Sequence, residues 1–492
     1  MHALETMDSL MLAGERVGSA MHVGIVLLFT PPPGVYPGRF VDSLYEESLI
    51  GDHEVDPRLR RHPYRGADSR NVWVWRELPE IDLRKHVLRT TLPPGSDLDA
   101  LWQLVSELHG ERLDMDAPLW TSHLIDGLAD GRFALYIKVH HTVIDGVGGL
   151  QMIGHSLSRD PEKRSMPPFY ANHSHADRTA HEGTGHDPRS GHSGTRRPWL
   201  TRPFGAVRAI ADAAAAGLDL TRRVATAELA NILGSLVTDA VVPPFAAPHT
   251  RFNSKLGPRR TAIGTTLDRN RIRAVQEAAD VTANDVIIAL VAGVMRTWLL
   301  ERDELPQQSL VAMCPVSVRH EADADHAAEP HDDSHSGNQF GLGLCPLGTD
   351  IADPAERLAL IHGAMNNIKR QVAEKGPNAM LAVMGPAIGS TVVFPLLPFG
   401  ALLPPSCNMA ISSVPGPHEE MYFNGAHLDE IYPVSSIYDG MGFNVTVCTY
   451  VDRVGVGYVT EAILMRNIAE LVPLTEQAFA ELEVALGIRS AP

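Results

Sequence analysis

Lys138-Val139-His140-His141-Thr142-Val143-Ile144-Asp145-Gly146 is the stretch from which the fold of this 492-residue chain can be read. Before it, Phe133, Leu135, Ile137 and Val139 alternate with Ala134, Tyr136 and Lys138, and the turn pair Asp130-Gly131 bounds the run. A period of two predicts a β-strand with one apolar face. After it, Gly146, Gly148 and Gly149 loosen the backbone before Leu150 to Leu157, which reads as a helix. The histidines therefore sit at the mouth of a strand, where a stiff backbone holds a ring in one pose. A neutral imidazole, with an unperturbed pKa of about 6.5, can take a proton from a hydroxyl near neutrality. Asp145 is close enough to brace the bend, and Gly146 permits backbone geometry that a Cβ would forbid. Three chemistries fit these residues alone: packed core histidines, acid/base catalysis, and a metal site built from His140, His141 and Asp145.

Moving outward, the N-terminal half mixes strands and helices. His22 to Phe29 is an apolar strand closed by Pro31-Pro32-Pro33, and Asn71 to Trp75 alternates as another. Leu98, Leu101, Leu104, Val105 and Leu108 recur at helical spacing. Residues 160–200 are rich in His, Ser, Gly, Pro and Arg and predict a disordered linker. Residues 201–242 contain two Ala-rich helices that serve as a connector. In the second half, Thr261 to Leu267 and Leu310 to Pro315 read as strands. The run from Val286 to Met295 reads as a helix, capped by Thr282 or Asn284 with Asp285 at its positive end. Asn444 to Tyr450 and Gly455 to Val459 predict a hairpin, and Thr475 to Leu486 a closing helix. This is an α/β chain with lobes at 1–159 and 243–492.

The net charge of −17 argues against nucleic acid as a partner. Cys314, Cys345, Cys407 and Cys448 are too far apart for a zinc knuckle or disulfide framework, so a reducing, cytoplasmic setting is expected. The N-terminus has no cationic signal-peptide region. Gly376 to Pro417 lacks Asp, Glu, Lys and Arg, yet its prolines make a membrane span awkward; a greasy element suited to a lipid tail fits better. No G-x-S-x-G elbow supports a serine acyl-enzyme.

An ordered series of motifs then carries a resemblance. It comprises Pro118-Leu119-Trp120, His140-His141 through Asp145-Gly146, Asn284-Asp285-Val286, Pro315-Val316-Ser317-Val318-Arg319, Gly337-Asn338, and Val414-Pro415-Gly416-Pro417. In this order the chain resembles the bacterial wax ester synthase/acyl-CoA:diacylglycerol acyltransferase family. The resemblance implies two chloramphenicol-acetyltransferase-like lobes with a tunnel to the histidines. It also implies transfer of a long acyl chain from acyl-CoA to a diacylglycerol or a fatty alcohol, with acyl-CoA as co-substrate and no further cofactor or metal. His141 would be the general base, with His140, Asp145 and Gly146 supporting it. Pro118, Leu119, Trp120, Asn284, Asp285, Ser317, Arg319, Gly337, Asn338, Pro415 and Gly416 would shape the site. Because the product is oil, peripheral contact with the inner face of the plasma membrane or a lipid droplet is expected. Ser413 departs from the asparagine common in relatives, which bears on acceptor choice. Two other classes remain: a non-catalytic acyl-CoA or lipid-binding protein, and a metal-dependent hydrolase using the His-His-Asp cluster.

Overall fold

Two six-stranded sheets organise the molecule, and neither follows chain order. The first runs β12 (Tyr422–Phe423), β13 (Ala426–Val434), β2 (His22–Thr30), β7 (Phe133–His140), β6 (Trp120–Leu128) and β5 (Val87–Ser96). The second runs β10 (Phe340–Pro346), β9 (Val311–Ser317), β11 (Met409–Val414), β14 (Phe443–Tyr450), β15 (Arg453–Glu461) and β8 (Arg260–Asp268). A small third sheet joins β1 (His2–Ala3), β4 (Val74–Glu77) and β3 (Arg61–Tyr64). The helices are α1 (Pro37–Ile50), α2 (Leu98–Gly110), α3 (Gly146–Gly154), α4 (Arg269–Ala279), α5 (Ala283–Leu300), α6 (Pro354–Lys375) and α7 (Leu471–Ala485). This computed structural model describes residues 19–50, 53–66, 68–69, 72–144, 146–172, 245–317, 340–375 and 405–488, with scattered positions at 2–15 and at 242. The expected helices of 201–242, the loop from His320 to Ser336 and most of the uncharged stretch after Gly376 lie outside the described residues.

The expected strand is β7, central in its sheet and antiparallel to both neighbours, with Val139 opposite Val23 and His140 opposite His22. Its apolar face joins the core, as the alternation predicts. The other face is buried as well: Ala134 and Tyr136 are 0% exposed and Lys138 only 3%. Helix α2, capped by the Asp97 carboxylate on the Ala100 N–H, supplies the cover. The Lys138 ammonium donates to the carbonyls of Leu108, at 2.5 Å, and Glu111, at 2.9 Å. A buried ammonium is tolerated where such acceptors replace water.

The C-terminal half inserts β13 into the first sheet beside β2, pairing Tyr432 with Val26. The same strand crosses β15 of the second sheet. A Cβ on Gly455 would lie 1.9 Å from the Ile431 carbonyl oxygen, and one on Gly457 would lie 1.7 Å from that of Pro433. Only glycine allows the two backbones to pass so closely.

One expectation changes and two are narrowed. Helix α3 starts at Gly146, not after the glycines, and Gly146 has no positive φ, so its backbone is one that any residue adopts. Of the expected linker, residues 160–165 are exposed, whereas Met166 and Pro168 to Ala171 are buried. Phe169 and Tyr170 are buried against Trp120, and Ser158 and Ala171 form bridges to Tyr422 and Val55. A few aromatic anchors suffice to order a polar tract when a matching hollow exists. Of the two expected caps of α5, Thr282 is the one that forms, in a reciprocal box with Asp285. Among the described residues α5 is the helix long and apolar enough to cross a membrane, and it lies mostly buried in the core.

Candidate active site

At the end of β7 the backbone pins both histidines. The His140 N–H bonds the Leu119 carbonyl at 2.9 Å, and the His141 N–H bonds the Met21 carbonyl at 2.9 Å. The Val143 N–H returns to the His140 carbonyl and closes the turn. His140 is 0% exposed, and both its ring nitrogens are engaged. Its Nδ1 accepts the Thr142 backbone N–H at 3.2 Å and lies 2.7 Å from the Thr142 hydroxyl. An N–H aimed at Nδ1 requires a lone pair there, so the ring proton sits on Nε2. That Nε2 donates to Oε2 of Glu15 at 2.7 Å. The same carboxylate oxygen accepts the Met21 N–H at 2.9 Å. Glu15 thus ties the segment behind His141 to the ring beside it.

Glu15 is 1% exposed. Burial alone would raise its pKa, but the hydrogen bond and positive potential of His140, with the Met21 N–H, outweigh this and hold it below the ordinary carboxylate value. Beneath the strand, burial and the charge of Lys138 push His109 down to about 3 and His123 to about 4. Burial, with His109 and Lys138 adding, also lowers His22. These rings are neutral packing partners: His109 bonds the Tyr136 hydroxyl at 2.9 Å and the Ser435 carbonyl at 3.2 Å.

His141 faces the other way and lines a cavity of about 150 Å3. Val23, Ile25, Ile137 and Val139 form one wall, and Ile144, Leu150, Met152 and Ile153 another. The C-terminal half closes it with Ser412 and Val414 from β11, Pro433 from β13, Ser435, and Thr446 from β14. Among these described lining residues there is no Asp, Glu, Lys or Arg. His141, Ser412, Ser435 and Thr446 are thus the polar residues of an otherwise apolar lining, and the Thr446 hydroxyl is bonded to Asn444 Oδ1 at 2.9 Å.

The remaining expected residues are placed as follows. Gly146 lines the cavity beside His141. Pro118 and Leu119 are buried next to His140 through the Leu119 carbonyl. Trp120 lies beneath the motif, its indole N–H bonded to the Leu59 carbonyl at 2.9 Å and its ring stacked on His86. Asn284 and Asp285 are not among the lining residues; Asp285, 0% exposed, bonds its helix cap and His362 at 2.8 Å. Gly416 packs on β14, where a Cβ would lie 2.1 Å from the Thr449 carbonyl oxygen, and Pro415 beside it is exposed. Asp145, Arg319, Gly337, Asn338 and the side chain of Ser317 lie outside the described residues. Sequence reasoning passed over Glu15, Thr142, Ser412, Ser435 and Thr446. Thr142 stood inside the motif, and the others carry no local pattern.

Residues 4–287 match the model of the wax ester synthase/diacylglycerol acyltransferase catalytic domain, and residues 336–483 that of the family's C-terminal domain. The chain belongs to the wax ester synthase/diacylglycerol acyltransferase family. Similar members include a probable diacylglycerol O-acyltransferase, tgs2, of Mycobacterium tuberculosis, 34% identical over 98% of both chains. A putative diacylglycerol O-acyltransferase of the same species is 32% identical over 99% of this chain and all of that one. Among solved structures, the wax ester synthase/diacylglycerol acyltransferase from Marinobacter aquaeolei VT8 superposes with a TM-score of 0.77 at 28% identity, covering 99% of this chain and 100% of that one. The starter condensation domain of rhizomide synthetase shares the fold at a TM-score of 0.52 and 13% identity, covering 99% of this chain and 94% of that one. The two-lobed architecture is thus the one that family and condensation domains share.

Proposed function

We propose that this family member moves a long-chain acyl group from acyl-CoA to the free hydroxyl of a diacylglycerol, with His141 as general base. The observation that carries the assignment is the cavity itself: His141 is the group among its described lining residues that can take a proton near neutrality. The imidazole removes the acceptor hydroxyl proton as the oxygen attacks the thioester carbonyl. The Ser412 and Ser435 hydroxyls are candidate donors to the carbonyl oxygen as it gains charge, whereas the Thr446 hydroxyl is already donated to Oδ1 of Asn444 at 2.9 Å. Collapse of the tetrahedral intermediate expels the CoA thiolate, which recovers the proton from the imidazolium. One ester forms, one thioester breaks, and the base is restored. The apolar walls hold the chain and exclude water, which would otherwise compete as acceptor.

Purified protein given palmitoyl-CoA and diolein is expected to release free CoA and form triacylglycerol; a panel that includes fatty alcohols tests wax ester formation. His141→Ala is expected to keep the fold and lose about 10²- to 10⁴-fold in kcat. Tight acyl-CoA binding without CoA release from any acceptor would replace this reading with that of a lipid-binding protein. A metal hydrolase is disfavoured because both His140 nitrogens already hold protein partners. Unchanged turnover in chelator is the corresponding check. For its place in the cell, we assign it to the cytoplasmic side, peripheral at a membrane or lipid-droplet surface, since acceptor and product dissolve in lipid. Flotation with lipid vesicles tests this.

A further inference from the structure

His109, near the end of α2 and 1% exposed, does more than fill space behind β7. Its backbone carbonyl accepts the Nε2–H of His22, from β2, at 2.7 Å. Its ring joins two further elements: Nδ1 lies 2.9 Å from the Tyr136 hydroxyl of β7, and Nε2 lies 3.2 Å from the Ser435 carbonyl. A carbonyl oxygen only accepts, so the ring proton is on Nε2 and the Nδ1 lone pair takes the phenol O–H. Burial and the charge of Lys138 hold this ring's pKa at about 3, so the same tautomer persists at every pH where an imidazole base works. The two elements it joins belong to opposite sides of the catalytic cavity. Tyr136 is on the strand that ends at His140 and leads into His141. Ser435 follows β13 directly and lines the cavity. The next peptide is held as well, the Ser436 carbonyl accepting the Asn444 amide at 3.1 Å. Asn444 also takes the Thr446 hydroxyl, whereas the Ser435 hydroxyl has no partner among the described residues.

We propose that His109 is a positioning residue for the transfer: bonded to Tyr136 on one side and to the Ser435 carbonyl on the other, it sets the spacing between His141 and the Ser435 hydroxyl, which donates to the thioester oxygen as it gains charge. The inference rests on the transferase reading, because it needs a reaction in which that oxygen becomes an anion. A base and an oxyanion donor act together only when held within about 0.5 Å of the productive geometry. Here the two groups come from different halves of the chain, so something must tie one half to the other at this depth. A neutral imidazole that accepts at one nitrogen and donates at the other is a rigid spacer for that task, and a buried chain of hydrogen bonds with every member satisfied resists distortion.

A double-mutant cycle tests this, with palmitoyl-CoA and diolein as substrates and with kcat, the KM for palmitoyl-CoA and the folded fraction measured for each protein. Ser435→Ala is expected to lower kcat about 10²-fold and to leave KM within about twofold, because the hydroxyl acts on charge that exists only in the transition state. His109→Phe keeps a ring and loses both bonds; its kcat is expected to fall comparably at unchanged KM. His109→Gln keeps a donor and an acceptor and is expected to recover most of that loss. In the protein carrying both His109→Phe and Ser435→Ala, kcat should fall no further than in Ser435→Ala alone, since coupled residues are not additive. Should His109→Phe not fold, Tyr136→Phe, which frees the ring on its other side, takes its place in the cycle. Losses that multiply, or that merely follow the folded fraction, overturn the proposal and leave His109 a packing residue. Unchanged kcat in Ser435→Ala also overturns it, while the transferase reading stands. CoA release from no donor in the unsubstituted enzyme overturns both readings.

Discussion

Oε2 of Glu15 lies 2.7 Å from Nε2 of His140, across 125 residues of chain, and both side chains are sealed from solvent. The carboxylate fixes the ring's tautomer from one side while the Thr142 N–H fixes it from the other. It also holds Met21, whose carbonyl anchors the backbone of His141.

Removing that carboxylate leaves two buried donors without an acceptor. Glu15→Ala is therefore expected to lose about 2–6 kcal/mol of stability, at about 1–3 kcal/mol for each orphaned group. Glu15→Gln, which keeps an accepting oxygen, should retain most of it. Because the folded pKa of Glu15 is lowered, its contribution is present above the unfolded value of about 4.3 and lost as pH falls through the folded value. Unfolding midpoints measured across acid pH should fall less steeply in Glu15→Gln than in the unsubstituted protein.

Lys138 acts with the same sign in a more alkaline window. Burial lowers its pKa to about 8. The unfolded chain, with a lysine pKa of about 10.4, binds more protons between these values, so this group makes stability rise with pH across that window. Lys138→Met should flatten the slope in denaturation curves taken from pH 8 upward. A slope unchanged by the substitution would mean that the ammonium is not buried as described.

The crossing of β13 over β15 makes a steric forecast. Gly457→Ala places a methyl 1.7 Å from the Pro433 carbonyl oxygen, so backbone must move. A loss of more than about 3 kcal/mol, or of soluble protein, is expected. Gly363→Ala in α6 is the control: a Cβ there meets nothing within 4 Å, and a gain of about 0.5–1 kcal/mol should follow from helix propensity. Thermal unfolding of the two variants gives the comparison.

Asp285 bonds the Thr282 N–H at 3.0 Å and the His362 ring at 2.8 Å, away from the described cavity lining. Asp285→Ala should cost about 1–3 kcal/mol through the lost cap and the orphaned ring. If its effect on activity is structural, acyl-CoA KM stays near normal at temperatures where the variant is folded. A large KM change in folded protein would instead return Asp285 to the site.

Short-range pattern made much of this legible. The alternation from Phe133 to Val139 marked β7, Thr282 stood among the expected helix caps, and the order of motifs pointed to the family that the whole-chain matches then showed. Phe169 and Tyr170 went unread because two aromatics in a polar tract have no period, and only the hollow beside Trp120 gives them a place. Burial of the face with Ala134, Tyr136 and Lys138 was not legible, because alternation reports polarity, not what covers a strand.

From its residues alone the chain determined where strands and helices form and that an imidazole stands at a strand mouth, since backbone period and turn chemistry are local properties. Tertiary structure alone decided that Glu15 braces His140, that β13 extends the first sheet, and that Ser412, Ser435 and Thr446 line one cavity with His141. These contacts join residues more than a hundred positions apart. Each depends on sheet register and on how closely two backbones pass at glycine, and neither leaves a periodic mark in the sequence.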